Sequence, residues 1–500
     1  MIKLETEEAE KAKLREKRMN KLVFEWTDKG NNSVNSEDAL DDLQPHPDIR
    51  SLTIKGYRGE YFPSWMSTLQ LNNLTVLTLN GCSKSRQLPT LGCLPRLKIL
   101  HITGMPSVKC IGNEFYSSSG SAAVLFLALK ELTLSSMDGL EEWMVPGGEG
   151  DQVFPCLEKL CIEGCGKMKS IPICHPSSLV QFVIRKCDEL RYLCGEFHGF
   201  TSLRILMIIN CEKLASIPSV QHSTALVELI IWNCPELISI PGDFRQLKYS
   251  LKKLFIYRCK MGALPSGLQC CASLEELRIE DCKELIHIGD LQELSWLRRL
   301  VIKGCDELIS FDWHTLRQLR SLVQLEISWC RSLSHFPEED CLGGLTQLKE
   351  LSIGGYSEKL EAFPAGVLNS IQHLNLSGSL ERLWIRGWDK LKSVPHELQH
   401  LTALESLWIC DFREEEFGQP FLSSISLDLG LQESQVYAKL NSHSTLLQIK
   451  GIGDFRMPTS IRKLWEGEWL RVTQDFSYPI NHRRGYTCTG KLGLNFYVTL

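Results

Sequence analysis

Several things are scarce in this 500-residue chain, and each scarcity removes a class of protein. No apolar run is long enough to cross a bilayer, since the longest, Ala122 to Leu129, holds eight residues where about 20 are needed. Residues 1–22 are densely charged and contain no apolar core, so no secretory leader is expected there. Charge of one sign is lacking: 55 Lys and Arg against 60 Asp and Glu leave a net charge of −5. That balance argues against a general nucleic-acid or acidic-membrane binder. Twenty cysteines make up 4% of the chain, below the level of a disulfide scaffold. No Cys-x-x-Cys has a partner pair, and Cys270-Cys271 and Cys174-His175 stand isolated, so neither metal nor cofactor is expected. A reduced, cytoplasmic protein follows, in which the sequons at Asn31, Asn73 and Asn375 are chance matches.

What is abundant is a phrase. Fifteen times between Ile49 and Phe412 the chain writes an apolar residue, two variable ones, Leu or once Phe, a variable one, then Ile or Leu. Copies start at residues 49, 74, 97, 129, 157, 179, 203, 226, 251, 274, 297, 322, 348, 380 and 404, in steps of 22 to 32. In nine a Cys follows three positions later, as in Leu157-Glu-Lys-Leu160-Cys-Ile162-Glu-Gly-Cys165. These are the spacing and phrase of a leucine-rich repeat. Apolar residues at the fourth and sixth positions, with variable third, fifth and seventh, have a period of two. Each phrase therefore predicts a short strand with one buried face. Such strands bury their faces only by stacking into a parallel sheet. The return segments carry Leu88-Pro89, Ile171-Pro172, Ile217-Pro218, Ile240-Pro241, Leu264-Pro265, Phe336-Pro337, Phe363-Pro364 and Val394-Pro395. Proline blocks regular helix, so mostly extended or single-turn convex segments are predicted. The expected fold is an α/β horseshoe with a concave parallel sheet.

The Cys column (Cys82, Cys165, Cys187, Cys211, Cys234, Cys259, Cys282, Cys305 and Cys330) reads as small buried thiols where the chain leaves the strand. Three divisions are expected. Residues 1–48 hold a charged helix, a degenerate repeat at Met19-Asn-Lys-Leu22-Val-Phe24 and a polar loop. Residues 49–412 are the solenoid. Residues 413–500 are a tail without period, which reads as a cap, a loose extension or an artefact of gene prediction. The raw N-terminal face reads as part of a larger protein or a shortened relative of one.

Leu43-Gln-Pro-His46, Ile49-Arg-Ser-Leu52-Thr-Ile54-Lys-Gly-Tyr57 and Tyr61-Phe-Pro-Ser-Trp65-Met66 resemble the early repeats of plant intracellular immune receptors. These are the coiled-coil, nucleotide-binding, leucine-rich-repeat disease resistance proteins. The Cys-ended phrase with trailing Leu-x-x-Ile-Pro (Leu214 to Pro218, Leu237 to Pro241) is similar to that family too. The resemblance covers roughly residues 1–412. It implies sensing of a pathogen effector or a guarded host protein, and restraint of a nucleotide-binding domain, in plant defence. Neither that domain nor the coiled coil is read in this chain.

Two motifs look like chemistry and read better as repeat parts. His396-Glu397-Leu-Gln-His400 matches a zinc-protease signature, but Pro395 precedes it and Leu398 and Leu401 carry the repeat's own pattern. Gly485-Tyr-Thr-Cys-Thr-Gly490-Lys491-Leu492 misses a phosphate loop by having Leu where Ser or Thr must hold magnesium. No enzyme is expected. A substrate adaptor of a ubiquitin ligase is the alternative, although residues 1–48 show only a charged helix in place of a ligase-binding box.

Function should sit on the outward strand positions. Ile205, Met207, Ile209, Glu228, Ile230, Trp232, Lys253, Phe255 and Tyr257 form an apolar and aromatic patch there. A charged zone with Arg278, Arg299 and Lys303 follows, then an aromatic-basic group of Arg382, Trp384, Arg386 and Trp408. Exposed patches of this composition mark protein interfaces. Trp65, Trp296, Trp313 and Trp329 fall in return segments or phrase ends and are expected to pack internally.

Overall fold

The computed structural model describes residues 13–26, 36–67, 71–117, 124–146, 152–172, 177–194, 199–289, 291–360, 362–376, 378–387, 404, 406–412, 436–441 and 444–450. Every phrase is a strand, beginning two residues after its first apolar position. In chain order they are β1 Lys21–Glu25, β2 Ser51–Lys55, β3 Val76–Asn80 and β4 Ile99–Thr103. Next come β5 Glu131–Ser135, β6 Lys159–Glu163, β7 Gln181–Arg185 and β8 Ile205–Ile209. Then follow β9 Glu228–Trp232, β10 Lys253–Tyr257, β11 Glu276–Glu280 and β12 Arg299–Lys303. The last are β13 Gln324–Ser328, β14 Glu350–Gly354, β15 Arg382–Arg386 and β16 Ser406–Phe412. The degenerate copy at Met19 supplies β1, in register with β2.

Each strand pairs in parallel with the next, without slippage from β1 to β16. Sixteen strands at about 4.8 Å extend on the order of 75 Å along the sheet. Two antiparallel strands, β17 Val436–Asn441 and β18 Ser444–Lys450, continue it, β18 lying against β16.

Constant register aligns the inward residues. Leu229, Leu254, Leu277 and Leu300 share one row, and Ile231, Ile256, Ile279 and Ile302 the next; all are at most 1% exposed. A fully buried Leu or Ile contributes roughly 1.5–3 kcal/mol, so the stacked rows outweigh local propensity. The Cys column lies beneath the strand ends and is 0–3% exposed. Its thiols donate to the carbonyl closing the same strand, as from Cys187 to Arg185, Cys259 to Tyr257 and Cys330 to Ser328, each at 3.5 Å.

The convex side is mostly short. The exception is the helix Ala365–Leu376, twelve residues directly after Pro364. Proline is excluded from a helix interior but tolerated at its start, and this helix fills the 32-residue step between phrases 348 and 380. Its Ser370 hydroxyl donates to an Asp340 Oδ1, and Asp340 Oδ2 lies 2.9 Å from His373 Nδ1. Burial pushes the Asp340 carboxyl up, but these bonds and the N–H groups of Gly343 and Leu342 outweigh it and hold it below its ordinary value.

The tryptophans divide. Trp65 and Trp313 are buried, their indole N–H groups donating to Leu40 and His335 carbonyls at 3.2 Å. Trp329 is half-buried over Gly387, where a Cβ would meet the indole at 2.4 Å. Trp296 is 67% exposed, against the internal packing expected of it. It sits one residue before the phrase at 297, where neither inward row of the strand reaches.

Candidate functional site: the concave sheet face

The three outward rows vary along the sheet in blocks. From β2 to β5 the face is small and mostly polar: Ser51, Thr53, Thr78, Asn80, Thr103, Thr133 and Ser135, with His101 Nε2 3.2 Å from Glu131 Oε1. From β7 to β10 its middle row is apolar. Val183, Met207, Ile230 and Phe255 follow one another in register along the middle row. Met207 is only 7% exposed, because Val183 and Ile230 flank it at one strand spacing on either side. It forms the floor of the patch, whereas Ile205, Ile209, Ile230 and Phe255 stay half-exposed. Trp232 and Tyr257 are paired in register, their rings stacked with centroids 4.0 Å apart and 23° between planes. Aromatic pairing of this kind adds about 0.5–1.5 kcal/mol beyond area burial. It also fixes both side chains where water would otherwise meet them.

The patch is closed by charge. Glu228 accepts from Lys253 at 2.9 Å, and this bond holds the Lys253 ammonium above its ordinary range. Arg278 lies over the Phe255 ring, 5.4 Å from its centroid, and pairs with Glu280 at 2.7 Å. The next strand carries Arg299 and Lys303 astride Val301, which is 2% exposed. Burial and then the nearby Arg278 hold the Arg299 guanidinium below its ordinary range, and its Nε–H is buried without a hydrogen-bond partner. Farther along, Arg382 pairs with Glu350 at 2.8 Å, and Trp384 and Arg386 share its strand. Trp408 is in register with Trp384 on β16, where side chains fall outside the described residues.

The outward positions at phrase 179 complete the face and were legible by the same rule: Gln181, Val183 and Arg185. Glu326 and Glu350 likewise place carboxylates between the two cationic groups. A second apolar column was not anticipated. Ile238, Ile286 and Ile309 each follow the Leu that trails the Cys column, on the flank of the solenoid, and are 59%, 52% and 49% exposed. Beside Trp329 a cavity of about 350 Å³ is lined by Arg331, Tyr356, Glu358 and Lys359. His396, Glu397 and His400 lie outside the described residues, as does the Gly485 loop. Among the described residues no group of three or more His, Cys, Asp and Glu side chains is placed to hold a metal ion. No described helix is long and apolar enough to cross a membrane.

In-phase strands, a trailing Cys or Gly column and short convex returns define the chain as a leucine-rich-repeat solenoid. The family described as R13L1/DRL21 LRRs matches residues 2–105. A disease resistance protein of Arabidopsis thaliana is 33% identical over 210 residues, covering 40% of this chain and 14% of the relative. An RPP13-like disease resistance protein, also of Arabidopsis thaliana, is 29% identical over 251 residues, covering 47% and 24%. Among solved structures, a Leptospira interrogans leucine-rich-repeat protein aligns with a TM-score of 0.42 and 19% identity, over 73% of this chain and 84% of that one. Over these stretches the chain is similar to the leucine-rich-repeat regions of plant disease resistance proteins. It spans less than a quarter of the length of either Arabidopsis relative.

Proposed function

We propose that this chain is a non-catalytic protein-recognition module of plant defence, working in the cytoplasm, and that partners dock on its concave face. The solenoid of residues 49–412 does the binding, and residues 1–48 and 413–500 flank it. The partner is a pathogen effector or a guarded host protein, or the nucleotide-binding domain of a full-length receptor, which the module would restrain. The observation that carries the reading is the Trp232–Tyr257 stack, two large rings on a water-facing sheet surface with apolar neighbours and a charged margin. Rigid aromatic anchors ringed by charge are the usual composition of binding hot spots.

The test is a triple variant, Trp232→Ala, Tyr257→Ala and Trp384→Ala, against a control altered at Tyr249 and Leu376, which are 81% and 84% exposed. Both are assayed against the nucleotide-binding domain of a related resistance protein and a panel of effectors. At least a tenfold loss of binding confined to the concave variant is expected. Binding by the concave variant as tight as by the unaltered chain would remove the concave face from the reading.

A further inference from the structure

Two cations on the concave face lack a direct ion pair, and their position says what could form one. In the row formed by the first residue of each strand, register places Glu228, Lys253, Glu276, Arg299, Gln324, Glu350 and Arg382 side by side. Two cations of this row are ion-paired with a neighbour: Lys253 with Glu228 at 2.9 Å and Arg382 with Glu350 at 2.8 Å. Arg278, on β11, is occupied by Glu280 and by the Phe255 ring. Arg299 and Lys303 differ: neither has an ion-pair partner within 4.0 Å among the described residues, and Glu276, Glu350 and Glu326 act on Arg299 only from beyond that distance. Arg299 is also partly desolvated, and its Nε–H is buried and unpartnered, as are those of Arg185, Arg382 and Arg386 on the same face, so the missing ion pair is what sets it apart from Arg382. A buried guanidinium donor left unpaired is a standing cost, and a carboxylate that reaches it forms the stronger, charge-assisted kind of hydrogen bond.

Starting from the reading of the concave face as the binding surface, we infer that its partner presents an acidic side chain to Arg299 and Lys303, next to an apolar or aromatic residue seated on the Trp232–Tyr257–Phe255 patch. The spacing is fixed by the sheet. Phe255 and Arg299 lie two strand steps apart, about 10 Å, so in an extended partner the two residues are about three positions apart. A protein segment fits better than a nucleic acid. Glu276, Glu280, Glu326 and Glu350 surround the cations, and they would repel a continuous run of phosphates while leaving room for a single carboxylate.

The experiment is selection of random 12-residue peptides, displayed on phage, against the full chain. Enriched peptides should carry Trp, Phe, Leu or Ile with Asp or Glu about three residues away. For the best peptide, synthesised and titrated, Arg299→Gln should raise Kd at least tenfold. Arg299→Lys should recover part of the loss, and Arg320→Gln, an exposed arginine in a return segment, should change Kd less than twofold. Binding should also weaken as salt rises from 0.05 to 0.5 M. Circular dichroism confirms that each variant is folded. Peptides that lose binding with Trp232→Ala but show no acidic preference and ignore Arg299→Gln would overturn this inference and leave the concave-face reading standing. Peptides indifferent to both substitutions would overturn both. Failure to enrich any peptide above an unrelated repeat protein would also overturn the inference.

Discussion

At the residue scale the Cys column shows how a repeat uses a small side chain. The position needs something compact that can donate weakly to a strand-closing carbonyl, and a thiol does this while counting as apolar. The cost of charging it is high. Burial pushes Cys82 and Cys282 up to about 11 from an ordinary 9.0. The sign of the linkage follows: the folded pKa is raised, so the stabilisation is complete below pH 9 and is lost as pH rises from 9 through 11. We expect the urea midpoint to fall between pH 8 and pH 10.5. The fall should be smaller in a Cys82→Ala, Cys282→Ala variant, which has lost two of the groups concerned. An equal fall in both proteins would mean that Cys82 and Cys282 do not govern the alkaline limb.

Element by element, one feature of the strand ends escaped the sequence. The residue after each strand from β2 to β15 has φ between 48° and 69°. Fourteen consecutive repeats turn off the sheet through the left-handed region. The N–H groups of twelve of these residues, Gly56 to Trp329, donate to the last strand residue of the next repeat at 2.7–3.0 Å. Seven of the fourteen are Gly; the others include Asn210, Asn233, Lys186 and Arg258. The demand is on the backbone, not on side-chain chemistry, so no constant letter announces it. The buried strand positions, by contrast, must be apolar in every copy, and they were readable throughout. The helix at Ala365 was missed because proline was weighed as an interruption, when Pro364 stands at a helix start. Arg258 pays for its backbone, since a non-glycine residue in this region costs roughly 1–2 kcal/mol, and its side chain is exposed. Arg258→Gly should therefore raise stability by about 0.5–1 kcal/mol after glycine's own entropy penalty. Thermal unfolding of the two proteins checks this, and a lower midpoint for the glycine variant would mean that Arg258 makes a compensating contact.

On the scale of the whole molecule, a solenoid is held by neighbours alone. β11 pairs with β10 and β12 in the sheet, eight strand positions along from β3. Its Leu277 is fully buried between Leu254 and Leu300. Leu277→Ala should cost about 3 kcal/mol from lost burial and the cavity left behind. How that cost spreads is the more telling quantity. If stability is a sum of repeat and interface contributions, the loss falls on β10 to β12 and fades over the next repeats in both directions. Hydrogen exchange by mass spectrometry resolves this directly. Peptides covering β10–β12 should exchange much faster in the variant, and those covering β2–β4 should keep their protection. Equal loss across the sheet would instead show a single cooperative unit, in which a partner docked on the concave face at Trp232 or Arg299 would stabilise the far repeats as strongly as those it touches. The local outcome confines such stabilisation to the repeats beneath the partner, so the same exchange map recorded with a bound peptide would also outline the site.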